Sequence, residues 1–273
     1  MLTRILSAVI LLPLFLAVIL FLPPICTAIL LGLMAAIAAY ELLWGTGLVK
    51  QIRPTVYSAV MAFLMCLWGL WGASFVWILM ALFIYVVLLL AEVMRDYEKF
   101  PFEKICVCLA AGLVIPFMFA SLVRLRTGSD GRICILIPFL LSFVSDSGAY
   151  FTGVFFGRHK LAPRISPNKT VEGLVGGVIA TMLGMVIFCF VLNKFFGFSV
   201  NYISAAVFGA LGSLVSVFGD LAFSAIKRQT GIKDYGKLIP GHGGILDRFD
   251  STIFVAPMVE ILLMLWPAME HVL

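Results

Sequence analysis

The sequence predicts an all-α, polytopic integral membrane protein of about nine transmembrane helices, and three observations carry that expectation. Of its 273 residues, 63% are hydrophobic and 12% charged, with a mean hydropathy of +1.13, about twice the apolar content relative to charge of an ordinary soluble domain. The apolar residues fall into runs of about twenty, the length at which a helix rising about 1.5 Å per residue crosses a hydrocarbon core of about 30 Å. Lys and Arg gather in alternate connections, as the positive-inside rule describes. A water-soluble enzyme is excluded. The thin spread of the net +5 charge also excludes a disordered or nucleic-acid-wrapping chain.

In chain order the expected spans are 5–25, 26–44, 55–71, 75–94, 105–123, 133–151, 171–192, 202–222 and 252–266 or a little beyond. The first run is too long for a secretory signal and lacks a small-x-small cleavage site, so it reads as a retained span. The joins at Pro23-Pro24 and at Gly72-Ala73-Ser74 are short enough to be either turns between crossings or the tip of a re-entrant hairpin. With nine crossings, every Lys and Arg except Arg124, Arg126, Arg132 and Lys194 falls on one side. That side is the cytoplasm. The N-terminus and the loops 152–170 and 223–251 lie there, as in the inner membrane of a bacterium. The six cysteines sit in apolar runs without C-x-x-C or zinc spacing and read as small buried hydrophobes. The chain reads as one transmembrane domain, 1–273, in which spans 1–104 carry no assignable chemistry and 105–273 hold both polar loops. No internal repeat of the inverted-transporter kind is present.

Acidic residues at membrane depth are expensive and so informative. Glu41, Glu92 and Glu260 read first as structural polar pairs. Asp146 and Asp220 differ, because each ends a span directly before one of the basic loops. On a continuing helix Asp220, Ser224 and Lys227 fall at i, i+4 and i+7, lining one face with carboxylate, hydroxyl and ammonium. After Gly231 and Gly236 comes Pro240-Gly241-His242-Gly243-Gly244, where missing side chains let backbone N–H groups approach an anion. Asp247 and Asp250 then stand three apart with Arg248 between them.

Carboxylates, several Lys and Arg, and a Gly-rich turn at one membrane surface suit phosphoryl or nucleotidyl transfer. Hard divalent cations want oxygen ligands and bridge phosphates, and basic residues neutralise the remaining polyphosphate charge. A polybasic lipid-binding face is the plainer reading of the cations alone; the interleaved aspartates argue against it. The first loop repeats the theme. Ser145 to Phe151 with Gly148, Gly153 and Gly157 permits close helix approach, while Arg158, His159, Lys160, Arg164 and Lys169 supply cations. Ser166 to Thr170 suit the cap of a helix beginning near Val171, with Glu172 in its first turn, and Lys169 at that terminus suits a phosphate. His242 is either a phosphate donor or a turn residue held by backbone bonds. P-loop, zincin and serine-hydrolase motifs are absent.

The run Ser224-Ala225-Ile226-Lys227-Arg228, Lys233-Asp234, Pro240-Gly241-His242-Gly243-Gly244 and Asp247-Arg248-Phe249-Asp250 closely resembles the signature of the CDP-diacylglycerol synthases, or phosphatidate cytidylyltransferases. The upstream S-D-S-G-A-Y-F and G-R-H-K-L-A-P-R-I-S-P-N-K-T-V-E-G stretches are similar to that family too. The resemblance implies transfer of a cytidylyl group from CTP to phosphatidate, giving CDP-diacylglycerol and pyrophosphate with Mg²⁺, with room for a second cation. It points to Asp220 and Asp247 as metal-holding carboxylates, with Asp250 and Asp146 behind them. Ser224, Lys227, Arg228, Lys233 and Arg248 would face the triphosphate, with His242, Gly243, Gly244 and Lys169 completing the substrate site. The implied partners are CTP, phosphatidate and membrane lipids, not nucleic acid, and the reading allows a homodimer. The neighbouring alternatives are a cytidylyltransferase or kinase for another lipid phosphate or alcohol; a secondary transporter and a lipid-binding scaffold are the rivals from other classes.

Overall fold

The computed structural model describes residues 2–71, 75–239, 241 and 243–271, with the backbone alone for 2–8, 10, 71 and 271. The join at Gly72-Ala73-Ser74 and His242 therefore lie outside the described residues. The chain packs as two compact units, one of residues 1–128 with 227–249, the other of 129–226 with 250–273. These are units of packing, whereas the division at residue 104 drawn from the sequence concerns role.

The first unit opens with α1 (Leu2–Phe21), α2 (Pro24–Tyr40) and a π turn at Glu41–Gly45, followed by α3 (Ile52–Trp71) and α4 (Phe75–Arg95). Pro24 stands in the first turn of α2, where its missing N–H costs nothing, and this accounts for the abrupt join after α1. Helices α2 and α3 lie side by side, and Gly32 faces the Phe63 ring with no room for a side chain of its own. The next apolar stretch, Phe102–Thr127, is broken into α5 (Phe102–Leu109), a second π turn (Ala110–Val114), α6 (Ile115–Phe119) and α7 (Ser121–Thr127). Beside the π turn the buried Tyr85 hydroxyl donates to the Cys108 carbonyl at 2.6 Å and lies 2.8 Å from Ser58 Oγ. A carbonyl loosened by a change of helical pitch thus keeps a partner. Arg126, which the charge count places in a loop, is buried: its guanidinium donates to the carbonyls of Ile19 at 2.6 Å and Leu22 at 3.1 Å, satisfying the C-terminal end of α1.

The second unit holds α8 (Gly131–Cys134), α9 (Leu136–Phe156), α10 (Val171–Phe196), most of α11 (Tyr202–Gln229) and most of α12 (Leu246–Leu265). Helices α9 and α10 approach closely along the small residues that the sequence sets at four-residue spacing. Gly148 lies against Ala180, and Gly177 against Ala149 and the Ser145 carbonyl. Gly209 brings α11 onto the backbone at Met182, Ser145 and Ser213 share a hydrogen bond of 2.8 Å, and Gly219 lies against the Asp250 carbonyl at α12. Two short antiparallel ladders interrupt the helices: β1 (Lys160–Ala162) with β2 (Ser166–Thr170), and β3 (Phe198–Val200) with β4 (Met269–His271). The sequence reading contained neither of them, because strands of three to five residues leave too little periodicity to read.

Among the described residues nine helical stretches follow one another in the expected order. Among the described residues seven are long and apolar enough to cross a membrane. In the first, the apolar stretch is the shorter Leu11–Phe21, and the last, α12, carries Asp247, Arg248, Asp250 and Glu260. The fold is all-α and polytopic.

Leucine at position 177 would overpack the α9–α10 contact. We expect Gly177→Leu to destabilise the detergent-solubilised protein by about 1–3 kcal/mol, read as a lowered unfolding midpoint, while Gly197→Ala, where open space surrounds the position, acts only through its positive φ.

Candidate active site

The polar residues assemble into two groups, one in each unit. In the second unit the β1–β2 hairpin delivers Lys169. Lys160 pairs with Thr170 and Ala162 with Ser166, and Thr170 caps α10 by accepting from the Gly173 N–H at 3.1 Å. The register of Lys169 is therefore fixed from both sides. Glu172 in the first turn of α10 accepts from the backbone N–H of Arg158 at 3.1 Å and of His159 at 3.2 Å, and meets His159 Nδ1 at 2.6 Å, which pins the start of the hairpin. Thus the expected cap is Thr170, its hydroxyl engaged within the helix, and the expected first-turn carboxylate holds the loop.

Lys169 Nζ lies 2.6 Å from Asp220 Oδ2 on α11, its nitrogen shut off from solvent. Ser224, one turn on, donates to Asp220 Oδ1 at 3.0 Å. Both carboxylate oxygens are occupied, one by a cation and one by a hydroxyl.

In the first unit the last turn of α11 supplies Lys227, whose ammonium lies 2.9 Å from Asp247 Oδ1 and 5.4 Å from the centre of the Tyr235 ring. The two side chains are 12% and 3% exposed, so this is a desolvated pair. Asp247 Oδ2 accepts two backbone N–H groups, from Tyr235 at 2.8 Å and Gly244 at 3.0 Å. The turn that aims them is closed by Ile239 N–H on the Gly243 carbonyl at 2.9 Å, and Gly243 holds φ +85°, a conformation that suits glycine. Glu41, the first residue of the π turn after α2, is buried and accepts from the N–H of Ile245 at 3.1 Å and Leu246 at 2.9 Å. Its polar pairing is the one the sequence favoured, with the backbone as partner.

The remaining sequence-derived residues divide by exposure. Arg228, Lys233 and Arg248 are exposed, as is Asp146 on α9. Asp250 is half-buried and accepts from the Ser251 N–H at 2.8 Å. Gly243 and Gly244 do form a turn, but the Gly244 N–H serves Asp247. Among the described residues no three His, Cys, Asp or Glu side chains gather as a metal-ligand group. The donor chemistry nevertheless suits a hard divalent ion that takes one or two carboxylates and completes its shell from phosphate and water. Asp220 and Asp247 are oxygen donors, and each has a lysine ammonium where such a cation would put its charge.

Sequence reasoning missed Tyr235 and Gly236. Tyr235 acts through its backbone N–H, which side-chain identity does not announce. Gly236 lies against the Glu41 carboxylate, a contact between positions nearly two hundred residues apart.

Comparison with known proteins places the chain among relatives. Residues 2–266 match the profile described as "Cytidylyltransferase family". A phosphatidate cytidylyltransferase of Staphylococcus haemolyticus is 36% identical over 257 residues, covering 90% of this chain and 95% of that protein. Those of Staphylococcus saprophyticus and Staphylococcus aureus are 40% and 39% identical over 176 and 178 residues, covering 64% of this chain and 65% of each relative.

Removing the α10 cap tests the geometry of the hairpin. Thr170→Ala should cost about 1 kcal/mol of stability while Thr170→Ser retains most of it, measured by denaturant or thermal unfolding of the purified protein.

Proposed function

The chain belongs to the cytidylyltransferase family and is a nucleotidyltransferase of multi-pass membrane character; on that premise we propose that it moves the cytidylyl group of CTP onto phosphatidate, releasing pyrophosphate. The observation that carries the site assignment is the double pairing of Lys169 with Asp220 and Lys227 with Asp247. Two carboxylates, each paired with one movable ammonium, form a resting arrangement in which the aspartates would be free to take a divalent ion and the lysines to take phosphate oxygens.

In the reaction a phosphate oxygen of phosphatidate attacks the α-phosphorus of CTP in line. A new P–O bond forms, the bond from the α-phosphorus to the bridging oxygen breaks, and its electron pair leaves with pyrophosphate. The attacking phosphate is already ionised at neutral pH, so no side chain has to remove a proton. Asp220 and Asp247 would hold Mg²⁺, with Asp250, three residues after Asp247, and Asp146 as the candidates for a second cation. The ion, when bound, supplies positive charge to the phosphate oxygens as negative charge moves toward the leaving group. Lys169 and Lys227, released from their aspartates, turn to the phosphate oxygens, and Ser224 orients Asp220. Arg228, Lys233 and Arg248, exposed and cationic, hold the outer phosphates. His242 and Gly243 would complete the substrate site, as the sequence resemblance implies. Acyl chains stay in the bilayer while CTP arrives from the cytosol, so the N-terminus and both polar loops face the cytoplasm. The reading accommodates a homodimer in a bacterial inner membrane.

The decisive experiment supplies purified protein with labelled CTP, phosphatidate and Mg²⁺ and follows a labelled liponucleotide. Product is expected with phosphatidate and not with diacylglycerol or an isoprenoid phosphate, which separates this reaction from the neighbouring lipid kinases and cytidylyltransferases. A chelator should abolish turnover and Mg²⁺ restore it. Asp220→Asn and Asp247→Asn should each lose at least about a hundredfold in turnover, the scale of removing a transition-state electrostatic contact, with membrane insertion intact; full activity in either refutes the ion assignment. Lys227→Ala should chiefly raise the CTP concentration needed, and unchanged CTP affinity and turnover would count against its phosphate role.

A further inference from the structure

At the start of helix α12 the N–H groups of Ile245 and Leu246 find their acceptor far away in the sequence. The residue before the helix is Ile245, which offers no side-chain acceptor, and Asp247 in its first turn is engaged by Tyr235, Gly244 and Lys227. Yet the first N–H groups of a helix need acceptors when buried, and Ile245 and Leu246 are both buried. The acceptor comes from more than two hundred residues away, as the carboxylate of Glu41 on the N–H groups of Ile245 and Leu246. Gly236 and Gly244 sit against the same carboxylate so closely that neither position has room for a Cβ, and Gly45, closing the π turn, lies equally close to the Tyr235 carbonyl. The π turn therefore braces the chain segment that holds Asp247 at several points, and Tyr235 and Gly244 are the residues whose N–H groups fix Asp247 Oδ2.

We infer that Glu41 is a positioning residue for the nucleotidyl transfer: by clamping residues 235–246 through backbone N–H groups, it sets the direction in which Asp247 presents its second oxygen. Two carboxylates share one short segment, Glu41 on Ile245 and Leu246, Asp247 on Tyr235 and Gly244. With Glu41 in place, Asp247 Oδ2 is held by the backbone and only Oδ1 is left to a cation, at present the Lys227 ammonium. Without it, the start of α12 loses its acceptor and the turn carrying the Asp247 donors loosens. The inference rests on the reading of Asp247 as an ion ligand, and it gives a reason for a buried acid in spans to which the sequence assigned no chemistry.

The test uses the full-length protein in detergent or lipid nanodiscs. Glu41→Gln is nearly isosteric but replaces one acceptor oxygen with an NH₂ group that faces an N–H donor. In chelator-treated protein, hydrogen exchange read by mass spectrometry should run about tenfold or more faster over 235–249 in E41Q than in the wild type, as expected when hydrogen bonds to a charged acceptor are lost. Peptides from α9 and α10 should be unchanged. In the activity assay the half-saturating Mg²⁺ concentration should rise about tenfold in the same variant, with turnover recovering at high Mg²⁺. A merely structural loss would lower the active fraction and leave half-saturation where it was.

Wild-type exchange over 235–249 together with wild-type half-saturation in E41Q overturns the inference while Asp247→Asn is inactive. An active Asp247→Asn instead overturns the underlying ion assignment, whatever E41Q does. Should E41Q fail to insert, Gly236→Ala, which presses on the same carboxylate from the loop side, must give the same exchange and Mg²⁺ signature. In the wild type itself the Ile245 and Leu246 amides must be among the slowest to exchange in 235–249, and fast exchange there is equally fatal.

Discussion

A carboxylate at the end of an apolar helix has lost most of its water, and the structure turns on how each one is compensated. Three acids show two solutions. Glu41 is held by the backbone N–H groups of Ile245 and Leu246. Asp220 and Asp247 each carry a lysine ammonium, Asp220 with a serine hydroxyl beside it and Asp247 with two backbone donors. The difference has mechanical content. A backbone donor belongs to the fold and cannot leave without unfolding its segment, whereas a lysine side chain swings away at the cost of rotamer rearrangement. Glu41 is thus built into the scaffold, whereas the lysine partners of the two aspartates are side chains that can move.

Exchange of partners is what a metal-dependent transfer to a polyphosphate requires. A carboxylate left bare while awaiting its substrate would be costly in a partly dry site, and one paired permanently would never bind an ion. A lysine that neutralises the aspartate at rest and a phosphate oxygen during turnover meets both conditions without changing the net charge of the group. The same economy governs the donors to Asp247. Its Oδ2 is tied to Tyr235 and Gly244 by the main chain, which leaves the lysine-bearing oxygen as the exchangeable one, and on the proposed reading this orients the carboxylate before an ion arrives.

Much of this was legible in the sequence, and the reasons differ by element. Among the described residues the nine helical stretches follow from apolar run length, a signal integrated over twenty residues, while Pro24 marks the tight join before α2 and Gly148 and Gly153 announce the close approach of α9. Asp220, Ser224 and Lys227 could be set on one helical face from their spacing. That Ser224 serves Asp220 follows from i and i+4 geometry. What spacing could not reveal is contact at long range. Lys169 reads as a helix-terminal phosphate ligand, and only the β1–β2 hairpin brings it to Asp220. Lys227 reads as a triphosphate ligand, and only the turn through Gly243 shows it against Asp247. Glu41 illustrates the same limit: a lone acid in an apolar run predicts a polar partner, but a backbone N–H partner has no letter in the sequence.

The cations separate along the same line. Lys169 and Lys227 have their ammonium groups withdrawn from solvent against carboxylates, while Arg228, Lys233 and Arg248 are exposed. Exposed cations act over a Debye length of about 8 Å at physiological salt and raise the local concentration of a polyanion, whereas a desolvated ammonium acts strongly and only at contact. A surface that merely adhered to anionic lipid would need the exposed set alone, since pairing two lysine ammonium groups with two aspartates adds nothing to its attraction and carries a desolvation cost. On the proposed reading the two pairs exchange partners with a ligand that brings its own negative charge for the lysines and its own positive charge for the aspartates. A nucleoside triphosphate with its divalent ion is a ligand of that description.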